Sequence, residues 1–231
     1  MLHDIWCVTW KELMLARRNL KSYLTSYGLV VGLWGVFLPA SSADSIWRGE
    51  ATISILLFAY LSVLLGSGQT ISTFVSERMQ KTLGTLLTTR LSDATIYLGK
   101  VLAVILISYA VMLLVLGLHL GTLMVVGQLN GYPLRFPYSL LQFVFLLVLP
   151  LISLLYTSSL GVYISLKSTN IRGQHFLNLF MGLPVFVMFY FVLQSLTWET
   201  LLVSLAVFGF ISLLITRFSI ARFNRQRLIL M

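Results

Sequence analysis

Few residues in this chain have the types and spacing that catalysis, metal binding or proton transfer requires. Its seven carboxylates all stand at the ends of long apolar runs or between them: Asp4, Glu12, Asp44, Glu50, Glu77, Asp93 and Glu199. Proton- or ion-coupled transporters usually place an ionisable side chain at mid-membrane depth, so this distribution argues against that class. His119 does lie inside an apolar run, but no second histidine or carboxylate sits at helical spacing from it, so we expect a hydrogen-bonded packing residue. Cys7 is the only cysteine, which excludes an internal disulfide and leaves no metal-ligand set.

The chain also lacks the loop that nucleotide hydrolysis requires. No Gly-x-x-x-x-Gly-Lys-Ser/Thr pattern, whose backbone amides cradle the phosphates of ATP, occurs in the 231 residues. We therefore predict that the chain is not an enzyme and binds no cofactor of its own. An intramembrane enzyme would need catalytic residues for which the sequence offers no candidates.

One charged segment separates two of the apolar runs, and its apolar residues follow a helical spacing. They recur at i, i+4, i+7 and i+8 and form one stripe: Met79, Leu83, Leu86 and Leu87. Ser76 is expected to cap the start of this helix, and Ser92 to cap a second helix that returns to the membrane. The segment is too short and too charged to span a bilayer, so we predict a helix at a membrane face over residues 76–92.

The same segment carries a longer motif. It reads Glu-Arg-x-x-x-Thr-Leu-x-x-Leu-Leu, then Leu-Ser, then Leu-Gly-Lys, at Glu77, Arg78, Thr82, Leu83, Leu86, Leu87, Leu91, Ser92, Leu98, Gly99 and Lys100. This motif resembles the cytoplasmic loop of permease subunits in the ABC-2 (type V) exporter family. In that family the loop is a coupling helix that docks on the ATPase subunit. The resemblance implies that the residues between Glu77 and Ser92 make such a contact.

The resemblance also implies a cellular setting and partners. It points to the permease subunit of an ATP-binding cassette exporter in the inner (cytoplasmic) membrane of a prokaryote. A separate ATPase subunit would bind ATP and Mg²⁺, and two copies of this chain, or one copy and a related permease, would form the translocation path. Two alternatives stay open: a haem-export-type permease of cytochrome c maturation, and a membrane scaffold that transports nothing. No charge pattern indicates the substrate.

Composition places the chain among polytopic membrane proteins. The residues are 58% hydrophobic and 10% charged, against about 25% charged in soluble domains, and the mean hydropathy is +0.92. We predict an all-α fold with a single transmembrane domain, residues 1–231. Its six spans are expected at about residues 24–38, 51–75, 101–126, 138–166, 175–193 and 201–215.

The charge distribution predicts the orientation of these spans. With both termini in the cytoplasm, all of the sixteen Lys and Arg residues except Arg48 and Arg135 fall on that side, including the basic tail at 217–231. This asymmetry follows the positive-inside rule. It accounts for the net charge of +9 without a nucleic-acid partner.

The N-terminal residues 1–22 are predicted to form an amphipathic helix that lies in the membrane interface. Apolar residues recur at spacings of three and four: Leu2, Trp6, Trp10, Leu13, Ala16 and Leu20. Lys11-Glu12-Leu13 is similar to a motif of the family's N-terminal helix, which helps to hold the ATPase. A helix that only anchors the chain in lipid is an equal alternative.

Three further features define the expected ends and faces of the spans. Pro39 is expected near the outer end of the first span. We predict that this span is retained rather than cleaved as a signal peptide. Residues 44–50 are expected to form a polar loop with Trp47 at the interface. The lower half of the second span is small and polar, with Gly66, Gln69, Thr70 and Thr73. Those residues predict either a dimer seam or substrate path, or packing inside the chain. The aromatic run at 186–191 fits an apolar substrate or lipid equally well.

Overall fold

The computed structural model describes residues 2–50, 52–79, 91–133, 136–167, 182–187, 189–191, 194–195 and 197–221. Within these ranges the protein is all-α and contains no strand. The helices are α1 (Leu2–Arg18), α2 (Leu20–Gly32), α3 (Leu38–Trp47), α4 (Thr52–Met79), α5 (Asp93–Leu129), α6 (Leu140–Lys167) and α7 (Trp198–Ala221). A π-helical segment, Leu33–Phe37, joins α2 to α3 without a break. Residues 182–187 and 189–191 are helical as well.

Five helical stretches of the described chain are long and apolar enough to cross a membrane. They are Tyr27–Trp47, Thr52–Thr70, Ala94–Leu129, Leu140–Val162 and Trp198–Ile220. About 20 apolar residues span the hydrocarbon core of a bilayer, because each helical residue rises 1.5 Å. The expected all-α membrane class is therefore supported. The span predicted at about 175–193 lies largely outside the described residues.

The first span differs from its prediction, because the helix continues through Pro39 to Trp47. Proline has no N–H to donate to the carbonyls of Trp34 and Gly35, which lie five and four residues before it. Side chains of α5 supply those bonds instead: His119 Nδ1 lies 3.3 Å from the Trp34 carbonyl, and Thr122 Oγ1 donates to the Gly35 carbonyl at 3.0 Å. The polar loop expected over residues 44–50 is thus mostly helix.

Trp47 is also placed differently from the prediction. Only 7% of its surface is exposed. Its ring stacks on Tyr132 with centroids 5.6 Å apart and covers Gly127, where any side chain would collide with it. Trp47 is a packing residue that ties α3 to the end of α5.

The helix start expected at Ser76 is wrong as well. The backbone stays helical from Thr52 to Met79, so Ser76, Glu77 and Arg78 belong to the last turns of α4. The cap predicted at Ser92 is confirmed: its side chain accepts a hydrogen bond from the Thr95 amide at 3.2 Å. The coupling residues Thr82, Leu83, Leu86 and Leu87 lie outside the described residues.

The core forms around α4, which packs against α6 most extensively and also against α5. Large buried side chains fill the space between these helices: Phe58, Leu61, Met112, Phe145 and Leu146. Helix α7 packs on α6, and α1 packs on α5. The contact between α1 and α5 brings together residues that the sequence separates widely.

Candidate functional site

The N-terminal helix α1 is held by the first turns of α5. Val8, Thr9 and Glu12 form its buried face. The Thr9 hydroxyl donates to the Gly99 carbonyl at 3.0 Å. Gly99 allows this approach, because a Cβ there would lie 2.7 Å from Cβ of Val8. The two backbones therefore meet at a position where only glycine fits.

A buried ion pair lies beside this contact. Lys100 Nζ donates to Glu12 Oε1 at 3.1 Å, and the two side chains are 0% and 7% exposed. Lys11 approaches the same carboxylate at 3.6 Å from a half-exposed position. Removing one partner from a buried pair leaves an uncompensated charge, which is strongly destabilising. Loss of either partner is therefore expected to destabilise the α1–α5 contact.

This contact, which we call the α1–α5 junction (Val8, Thr9, Glu12, Gly99 and Lys100), adjoins the predicted coupling segment. Leu91 and Ser92 immediately precede α5, whereas Glu77 and Arg78 end α4. The structure therefore gathers the Lys-Glu-Leu motif of α1 and the Leu-Gly-Lys motif of α5 into one place. Both motifs were recognisable in the sequence, but the ion pair that joins them was not predicted.

The opposite face of α1 remains uncovered by the described chain. Trp6 and Trp10 are each about half exposed, with ring centroids 6.3 Å apart, and Leu2 is almost fully exposed. One face of α1 thus packs against α5, and the other exposes two Trp rings. Exposed aromatic rings of this kind are typical of the membrane interface.

The small and polar residues of α4 contact neighbouring helices of the same chain. Gly66 lies against Leu154 and Thr157 of α6, and Thr70 lies against Gly161. Gln69, which was expected to need a partner, donates to the Tyr27 hydroxyl. Thr73 follows one turn later in α4, and its side chain lies outside the described part.

His119 forms a second polar cluster, at the other end of α5. Its Nδ1 faces the Trp34 carbonyl at 3.3 Å, so that nitrogen carries the proton. Its Nε2 then accepts from the Tyr138 hydroxyl at 2.8 Å. Burial raises the pKa of Tyr138, which keeps this hydroxyl protonated. The expectation of a hydrogen-bonded histidine is confirmed.

Among the described residues no group of three or more His, Cys, Asp or Glu side chains converges to hold a metal ion. Two of the polar contacts in the described part of the chain involve ionisable side chains that lie far apart in the sequence: the α1–α5 junction and the His119 cluster. Neither was visible as a pair in the sequence, because the partners lie 88 and 85 residues apart.

Replacing Gly99 should loosen the α1–α5 junction. In Gly99→Ala the new methyl would lie 2.7 Å from Val8 Cβ and 3.0 Å from the Ile5 carbonyl, so we expect a loss of about 1–3 kcal/mol in stability. Gly117→Ala is the matched control on the same helix, because a methyl group there would meet no atom within 4 Å. Alanine favours a helix over glycine by up to ~1 kcal/mol, so the control should keep or raise the melting temperature. Equal melting temperatures for the two variants in detergent would contradict the tight contact.

Comparison of the chain with protein-family models, curated proteins and solved structures gave no match.

Proposed function

We propose that the chain is the membrane-spanning permease subunit of an ATP-driven exporter and that it works with a separate ATPase subunit. The observation that carries this proposal is the arrangement around residues 80–90. These residues include four of the eight predicted coupling residues, Thr82, Leu83, Leu86 and Leu87. They connect two long helices, one of which is fixed by the α1–α5 junction. A partner that presses on them would therefore act on rigid elements.

The first support is the length of the helical arms. The apolar span of α4 ends at Thr70, but the helix continues nine residues further to Met79. That extension reaches about 13 Å beyond the span. On the other side, the Ser92 cap begins α5 directly after the segment. A displacement of residues 80–90 would be passed to both spans, since no described break separates them.

The second support is the attachment of α1. Its buried pair with Lys100 couples α1 to the same end of α5. The N-terminal helix would then share any movement of α5 while its Trp face stays in the interface. In this proposal α1 and residues 76–92 together form the surface that receives the ATPase.

The topology completes the proposal. A sixth span at about residues 175–193 would return both termini to the cytoplasm, with the basic residues on that side. Two such chains, or one and a related permease, would enclose a path. Gly66, Gln69, Thr70 and Thr73 are the proposed lining of that path or of the seam between subunits, although the first three also serve packing inside the chain.

Co-purification tests the proposal directly. The tagged chain, extracted from its native membrane in mild detergent, should bring down an ATPase with a phosphate loop in near-stoichiometric amount. The complex should hydrolyse ATP, and the chain stripped of that partner should not. A non-transporting scaffold would be recovered without a stoichiometric ATPase, and that result would overturn the proposal. A tagged membrane protein of similar size and unrelated sequence controls for non-specific recovery.

A further inference from the structure

A cavity of about 160 Å³ lies beside the π-helical segment, far from the α1–α5 junction. Trp34, Phe58 and His119 reach it from three different helical stretches. His119 is 19 residues beyond Lys100 on α5, which corresponds to about 28 Å. A cavity of about 150 Å³ is large enough to hold benzene. The space therefore suits a small molecule or a single chemical group.

The charge of the cavity wall has one sign. Among the described residues that line it, Glu50 supplies a carboxylate and no Lys or Arg is present. Glu50 is exposed and lies three residues beyond Trp47, the last residue of α3, so its carboxylate stands at an accessible edge. His119 adds no positive charge, because its Nε2 accepts from Tyr138. The described wall therefore offers no cationic side chain to attract an anion.

Two serine hydroxyls of the wall have their protons committed to backbone carbonyls. Ser42 donates its proton to the Leu38 carbonyl at 2.7 Å, and Ser45 donates to the Ser42 carbonyl at 2.8 Å. With these protons committed, the oxygens of Ser42 and Ser45 can act only as acceptors toward a ligand. Such a wall favours a ligand that donates hydrogen bonds or carries positive charge.

We propose that this cavity binds a small organic ammonium group. Aromatic rings attract ammonium cations through their negative faces, and here Trp34 and Phe58 supply the rings while Glu50 supplies the counter-charge. The ammonium group comes either from a free amine in solution or from the headgroup of a phospholipid. The site is intrinsic to this chain and stands whether or not an ATPase binds.

Binding of choline to the purified chain tests the proposal. In lipid-free detergent micelles, isothermal titration should show saturable binding of choline that is about tenfold tighter than that of 3,3-dimethylbutan-1-ol, its uncharged isostere. Glu50→Gln should reduce that preference to less than threefold. Trp34→Leu should weaken choline more than the isostere. Glu199→Gln, on α7 and outside the cavity wall, should leave the preference unchanged.

Lipid composition then identifies the source of the group. In nanodiscs of phosphatidylglycerol, added phosphatidylcholine should weaken choline binding if a lipid headgroup occupies the cavity. If choline binding is unaffected by the lipid, the ligand is a free amine. Equal affinity for choline and its isostere, an unchanged preference in Glu50→Gln with normal melting temperature, or no saturable binding would overturn the proposal. In those cases the cavity is an apolar space with no ammonium site.

Discussion

Glu12→Gln should lower the free energy of unfolding by about 3 kcal/mol, which makes it one of the most damaging single changes in the described chain. The reason is the environment of Lys100, whose side chain is fully buried against Glu12. The neutral amide keeps the shape of Glu12 but removes the negative charge that faces this ammonium at 3.1 Å. Thermal or denaturant unfolding in detergent would measure the loss.

Two further variants separate the pair itself from its neighbours. Glu12→Leu combined with Lys100→Met removes both charges, and it should restore most of the stability because apolar replacement of a buried pair is often neutral. Lys11→Gln removes the half-exposed neighbour of the same carboxylate and should cost less than about 1 kcal/mol. If Glu12→Gln were as stable as Lys11→Gln, Lys100 would have another means of holding its charge, and the junction would not depend on the pair.

Leu86→Asp should abolish transport while the protein still reaches the membrane. This expectation rests on the proposed function and on the stripe formed by Met79, Leu83, Leu86 and Leu87 in the sequence. If the stripe docks in a groove of an ATPase, the new carboxylate is buried without a partner. An uncompensated buried charge costs several kcal/mol, enough to lose most of an ordinary subunit contact. The spans should still insert, because no residue inside them changes.

Two measurements are needed to interpret Leu86→Asp: the amount of chain in the membrane and the ratio of co-purified ATPase to chain. The docking proposal expects a normal amount with a reduced ratio. Thr85→Ser, a conservative change away from the stripe, should alter neither. A reduced amount with an unchanged ratio would mean that the stripe packs on this chain's own helices or rests in the headgroups. It would remove this segment from the coupling mechanism.

The spans were largely predictable from the sequence, because a bilayer imposes long apolar runs that can be read directly. The expected ranges at 51–75, 101–126 and 138–166 fall on helices α4, α5 and α6. Pro39 was misread for a physical reason: a proline ends a helix only when nothing else satisfies the carbonyls that it frees. Here those carbonyls are satisfied by His119 and Thr122, more than 80 residues away.

The polar contacts were predictable only where they are local. Ser92 caps a helix that starts at the next residue, and the amide that it binds belongs to Thr95. Both members of this bond are therefore neighbours in the sequence. Gln69 was expected to have a partner, yet nothing in the sequence distinguished Tyr27 from other hydroxyls. The pair of Glu12 and Lys100 depends on how α1 lies across α5, which is a property of packing. The sequence therefore identifies individual polar residues more readily than it identifies their distant hydrogen-bond or ion-pair partners.

The separation between Glu12 and Lys100 has a consequence for the order of events during synthesis. At about 5–20 residues per second, the 88 residues between them take roughly 4–18 s to emerge from a ribosome. Throughout that interval Lys100 has not yet been synthesised, so the ion pair that attaches α1 to α5 cannot form. During this interval the exposed Trp6 and Trp10 are expected to hold the nascent helix at the membrane interface. The N-terminal helix is therefore made first but fixed late, only after α5 has begun to insert.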